Sequence, residues 1–231
     1  LSLAAAVGQS IGPFLGGYLL ARTSFQAVFA LAMLFSALGF VSAGLPRQER
    51  GNKSESPASR ASFRQGLEWL AASPGMAAVL IFTFIAVFAA SLRTSFIPLL
   101  FESHGLQEGY IGLLLSLFAL SMTLVRVFVG RIMGVMPRKL LLALALSLIL
   151  AGVTGLPAVS GLWLSGTLML LFGAGFGISQ PLSMVMVSDR AGASTSGLAM
   201  GIRFAVITLA TLLSPVLTGA IVDGPGLATA F

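Results

Sequence analysis

The chain has 231 residues, 57% of them hydrophobic and only 9% charged, a balance that excludes an ordinary water-soluble domain and makes lipid the solvent. Thirteen Lys and Arg stand against seven Asp and Glu, for a formal charge of +6. The cations occur singly among apolar runs, which points to membrane orientation rather than a nucleic-acid surface, and the lack of cysteine excludes disulfides and thiolate metal sites.

Apolar stretches near the roughly 20 residues needed to cross a bilayer fall at 1–21, 25–45, 76–100, 109–129, 139–157, 162–187 and 196–222. Lipid offers no hydrogen-bond partner to an open strand, and the stretches lack the alternation of a barrel. The predicted fold class is therefore all-α, a polytopic helical membrane protein with about seven transmembrane helices. The chain opens on Leu1 inside an apolar run, with neither initiator Met nor charged leader, and reads as a piece of something longer.

The first span contains GQSIGPFLGG, residues 8–17. Glycine and proline both weaken a helix interior, so they need another use. Gly12 and Gly16, four apart, make a flat strip on which a second helix backbone can lie, and Pro13 bends the helix between them. After the second span comes PRQERGNKSESPASRASFRQGLEWLAASPG, which begins as a Ser-rich linker. Its Phe63, Leu67 and Leu70 then recur at i, i+4 and i+7, predicting a short amphipathic helix along the membrane surface with Arg64 and Glu68 off the apolar face.

In the third span Phe84, Phe88, Ser91 and Ser95 share one helical face, with Arg93 toward its far end. The loop FESHGLQEG holds the single histidine, His104, so neither a metal cluster nor a Ser-His-acid triad can be built and no catalytic residue is expected. Arg126 closes the fourth span, four residues before Gly130, and is expected to snorkel to the interface. The connection GRIMGVMPRK, residues 130–139, follows. The sixth span contains FGAGFGISQP, residues 172–181, which superficially resembles a nucleotide loop. It has no preceding strand and reads instead as helix packing or a cavity wall, offering Phe172, Phe176 and Gln180. Arg203 lies about two turns into the last span, placed either to line a cavity or join neighbouring helices, or to snorkel to the interface.

Alternate connections carry Arg47, Arg50, Lys53, Arg60 and Arg64, then Arg131, Arg138 and Lys139, then Arg190, against Arg22 alone on the other side. The basic set is placed in the cytoplasm. No Asp or Glu lies mid-span: Glu102, Glu108 and Asp223 fall at the outer face, and Glu49, Glu55, Glu68 and Asp189 at the inner. IGPFLGGYLL, residues 11–20, also aligns without gaps to LSPVLTGAIV, residues 213–222, matching Pro13 to Pro215, Leu15 to Leu217 and Gly17 to Gly219. A duplicated unit of six spans in parallel orientation accounts for that spacing.

Together these features resemble the major facilitator superfamily, built from two six-helix halves. GQSIGPFLGG is similar to its antiporter motif GxxxGPxxGG on the fifth of twelve helices, with Gly8, Gly12, Pro13, Gly16 and Gly17 in place. GRIMGVMPRK is similar to the motif between helices 8 and 9: Gly130, Arg138 and Lys139 match, with Arg131 beside them. Gly134 stands where the pattern has Asp and Pro137 where it has Gly, which removes the carboxylate an ion-pair latch there would use. The resemblance numbers the spans 5 to 11. It divides the chain into 1–45, the last two helices of the first half; 46–74, a cytoplasmic central loop; and 75–231, helices 7 to 11.

The resemblance implies a secondary active transporter in a bacterial cytoplasmic membrane, monomeric when complete. It would export a small amphipathic or lipophilic solute by alternating access, driven by the proton gradient with no cofactor and no nucleic-acid partner. Its central cavity would be lined by Phe84, Phe88, Ser91, Ser95, Phe172, Phe176, Gln180 and Arg203. Uptake of a sugar or organic acid, and a non-transporting membrane scaffold or sensor, are the alternative readings.

Overall fold

The computed structural model describes residues 74–191 and 195–222, with positions 18, 24, 26, 29, 30 and 32–37 nearer the N-terminus. The motif at 8–17, the amphipathic stretch at 63–70 and the Pro13 copy of the repeat lie outside the described residues. Positions 32–37 are helical, inside the second expected span.

Six helices account for the rest: α1 Pro74–Ser95, α2 Ile97–Ser103, α3 Glu108–Val135, α4 Arg138–Gly155, α5 Leu162–Arg190 and α6 Ser196–Val222. Five of them are long and apolar enough to cross a membrane. The expected span at 76–100 is in fact two helices. Pro98 has no N–H to continue the ladder, so the chain steps aside at Phe96 (φ −119°, ψ −30°) and restarts as α2. The step keeps its bonds, because the Phe96 N–H still reaches the Leu92 carbonyl at 2.8 Å and the Leu100 N–H reaches Phe96 at 2.9 Å.

Short connections join the helices. At the end of α2, the Gly105 and Leu106 N–H groups donate to the carbonyls of Glu102 (2.8 Å) and Phe101 (3.1 Å). That is a Schellman closure, which requires the left-handed φ of +77° found at Gly105. Leu106 completes it by packing on the cluster that holds Leu100 and Phe101. Met136 and Pro137, both extended, turn α3 into α4, and a 3-10 turn at Leu156–Ala158 leads from α4 toward α5.

α5 is the central helix, packed on α3, α4 and α1 and touching α6; α6 rests mainly on α1. The glycine-rich stretch explains this position. A Cβ on Gly173 would overlap the Phe118 carbonyl of α3, and one on Gly175 would come within 2.6 Å of the Ala145 carbonyl of α4. Without Cβ atoms the three backbones close to contact, a main source of helix association in lipid. One buried cluster, including Phe101, Phe118, Met169 and Phe172, fills the bundle end near Gly105. A second, including Met76, Leu141, Leu182 and Met186, fills the basic end. The outside is apolar too, with Ile81, Leu124, Val127 and Phe128 exposed. Tyr110 and Trp163, also exposed, both begin helices at the Gly105 end, where an aromatic belt meets the headgroups.

Candidate functional site

Among the described residues, Arg203 makes more side-chain hydrogen bonds than any other polar residue in the spans. Seven residues into α6, about 10 Å along its axis, it is only 5% exposed. Its Nε donates to the Ser183 hydroxyl at 3.3 Å, while Nη2 donates to the same hydroxyl at 3.0 Å. Nη2 also lies 3.2 Å from the Gln180 main-chain carbonyl and 3.0 Å from its side-chain oxygen. Both acceptors belong to α5, flanking Pro181, which is built into the helix. The Ser183 hydroxyl in turn donates to the Gln180 carbonyl at 3.0 Å. The network joins α5 to α6, and Arg203 is inside it rather than extended to an interface.

Ser183 was not among the residues singled out from sequence. Its signal is slight, a hydroxyl three residues after Gln180 and so on the same side of the helix. Other polar groups also serve between helices: Ser214 of α6 donates to the Phe88 carbonyl of α1 at 3.0 Å, and Ser121 of α3 to the Leu170 carbonyl of α5 at 2.7 Å. Ser91, by contrast, donates to Val87 within its own helix at 2.9 Å.

The aromatic candidates divide by burial. Phe84 and Phe88 stack with ring centroids 5.9 Å apart and remain half-buried, as do Ser91 and Ser95 on the same helix. Phe176 and Gln180 on the adjacent α5 are half-buried as well. Phe172 is instead sealed at 0% exposure, edge-on to Phe118 at 4.8 Å. This places it in the core between α3 and α5 rather than on an open wall. Phe176 continues the stack, 6.0 Å from Phe118.

Arg93 lies with its guanidinium 4.7 Å from the Phe118 ring centre, close enough for a cation–π attraction. The Nε atoms of Arg93 and Arg126 are both sealed and unpartnered, so neither side chain is freely solvated along its whole length. In the 130–139 connection Gly130, Arg131 and Lys139 are exposed. Arg138 pairs with Asp189 at the end of α5. The connection itself carries no acid, and the carboxylate that Arg138 meets comes from another helix.

Residues 1–215 match the sequence profile of the Major Facilitator Superfamily. Among curated proteins, a 149-residue segment is 32% identical to a multi-drug resistance efflux pump PmrA homolog of Lactococcus lactis, covering 61% of this chain and 36% of that protein. An uncharacterized MFS-type transporter, YfiS, of Bacillus subtilis is 27% identical over 236 residues, 95% of this chain and 55% of the relative. An Acurin A biosynthesis cluster MFS-type transporter of Aspergillus aculeatus is 29% identical over 144 residues, 62% of this chain and 26% of the relative. The chain therefore spans about half or less of the length of these relatives.

Proposed function

The chain belongs to the Major Facilitator Superfamily, and on that premise we propose that the full-length protein is a proton-coupled efflux transporter for small amphipathic or lipophilic solutes. It works by alternating access in a bacterial cytoplasmic membrane with its basic loops inside. The division at 46–74 then separates two six-helix halves, of which 75–231 supplies helices 7 to 11. The reading needs no catalytic residue and no cofactor, since the proton gradient is the driving force. The seven acids of this chain all lie outside its predicted spans, so the proton-carrying carboxylate belongs to the remaining helices of the full-length protein.

The observation that carries the proposal is a half-open strip on otherwise apolar helices. Phe84, Phe88, Ser91 and Ser95 on α1 and Phe176 and Gln180 on α5 all retain partial exposure, and α1 packs directly on α5. A mostly aromatic wall with a few placed polar groups suits a solute with an apolar body. The hydrogen bonds from α6 to α5 and α1 bind the wall into a unit able to move as a rigid body. The complete small-residue pattern at 8–17 and the relative named as an efflux pump homolog favour the outward direction.

The test is proton-driven accumulation of a lipophilic dye by inverted vesicles containing the full-length protein. Saturable accumulation that collapses with a protonophore is expected. Gly12→Val and Gly16→Val should lower it at unchanged membrane abundance, whereas Leu19→Val, outside the motif, should not. Accumulation indifferent to the protonophore would overturn the coupling, and glycine variants as active as the control would remove the efflux assignment.

A further inference from the structure

We propose that Arg203, with Gln180, forms an anion-selecting subsite in the transport pathway, so that the preferred solute is an organic anion with an apolar body rather than a lipophilic cation. The proposal rests on the transporter reading and specifies the charge of its cargo.

The first support is an imbalance of charge. Inside the predicted spans, Lys139 at the very start of one aside, lie three cations, Arg93, Arg126 and Arg203, and no acid. Among the described residues the acceptors of Arg203 are the Ser183 hydroxyl and the two oxygens of Gln180, all neutral. Neutral acceptors orient a guanidinium without cancelling its charge, and arginine does not lose its proton in proteins. The charge therefore acts on whatever occupies the adjoining space, more strongly than it would in water.

Donor arithmetic is the second support. Nε and Nη2 of Arg203 are committed to α5, while among the described residues Nη1 makes no hydrogen bond and is not one of the sealed, unpartnered atoms. The Gln180 side-chain oxygen is taken by Arg203 at 3.0 Å, which leaves its amide N–H groups as further uncommitted donors on a half-buried residue. The two donor groups thus belong to side chains in direct contact, and the nearby hydroxyl of Ser183 is already both donor and acceptor. Such a set matches a carboxylate, sulfonate or phosphate oxygen. One turn along α5, half-buried Phe176 offers a ring for the apolar part of the same molecule.

The test uses purified full-length protein and two probes sharing one ring system, 1-naphthylacetate and 1-naphthylmethylammonium, with binding followed calorimetrically at fixed pH. The anion is expected to bind at least about tenfold more tightly, with affinity falling as salt is raised. Arg203→Gln should abolish the preference, and Arg203→Lys should retain part of it by keeping the charge without the fork. Gln180→Ala should weaken anion binding yet preserve the sign of the preference, so the proposal stays testable if an Arg203 variant fails to fold. Equal or tighter binding of the cation, a preference that survives in Arg203→Gln, or no anion binding at millimolar concentration would each overturn it. The first and last of these results are those expected if a carboxylate elsewhere in the full-length protein neutralises Arg203. Dye accumulation in vesicles is read separately: accumulation with no anion preference sinks this inference alone, whereas Arg203-dependent anion binding without any flux sinks the transport reading.

Discussion

Gly173 of α5 lies on the main-chain carbonyl of Phe118 in α3, so close that even a methyl group at that position would overlap the oxygen. The contact is backbone on backbone, and no side chain can swing away to relieve it. Gly173→Ala must therefore push α5 from α3 or bend one of them, at a cost of about 1–3 kcal/mol. Gly134 in the last turns of α3 has nothing within 4 Å of the equivalent site among the described residues. There alanine adds only helix propensity, about 1 kcal/mol at most. Unfolding of the full-length protein in mixed detergent should show Gly173→Ala clearly destabilised and Gly134→Ala unchanged or improved.

Ser214→Ala should loosen α6 from α1, because its hydroxyl donates across the interface to the Phe88 carbonyl. Interhelical hydrogen bonds in membranes are modest, so about 0.5–1.5 kcal/mol is expected. Thr208 on the same helix donates to Phe204 in its own previous turn and is exposed, and Thr208→Ala should change stability little. If the two variants lose equal stability, the Ser214 bond is not holding the helices together.

The helices themselves were legible because lipid leaves the backbone no alternative partner: each apolar run from 76 onward contains a helix. The ends were less so. The span expected at 109–129 continues to Val135, since backbone hydrogen bonding does not stop where Arg126 and Arg131 mark the membrane boundary. The break at Phe96 was in principle readable from Pro98, but one unbroken helix and a long helix followed by a short one satisfy the same hydropathy. Partners distant in sequence were not readable at all. Nothing local connects Arg203 to Ser183, or Arg138 to an acid 51 positions later, because those pairs exist only once α5 lies between α4 and α6. Phe172 and Phe176 show the same limit from the other side. They are one turn apart on one helical face, yet one is sealed between Phe118 of α3 and Gly152 of α4 and the other is half-open.

The Arg93–Phe118 contact should be measurable as a coupling rather than as a single loss. Phe118 also packs edge-on against Phe172 at 4.8 Å, so Phe118→Leu removes more than the cation–π pair. A double-mutant cycle with Arg93→Gln and Phe118→Leu isolates the shared term, expected at about 0.5–2 kcal/mol for a partly desolvated pair. Strict additivity in thermal unfolding of the full-length protein would mean that the guanidinium merely lies over the ring.

The Arg138–Asp189 pair is set against both helix dipoles. Arg138 is the first residue of α4, where the helix end is partially positive, and Asp189 is in the last turn of α5, where it is partially negative. Each charge alone is unfavourable at its own terminus, and the ion pair between adjacent helix ends offsets both. The two side chains are 47% and 45% exposed, so the net worth of the pair is small, of order 0–1 kcal/mol. Asp189→Asn leaves Arg138 uncompensated at a positive helix end but also removes the acid's own opposition to the α5 dipole, so the net cost should stay below about 1 kcal/mol and shrink as salt screens the charges. Exchanging the residues, Arg138→Asp with Asp189→Arg, keeps the pair and the net charge while placing each charge at the terminus that favours it. The exchanged protein should unfold at the same temperature as the wild type or higher. A double variant less stable than Asp189→Asn alone would show that the pair depends on the local geometry of the Met136–Pro137 turn rather than on the opposition of charge and dipole.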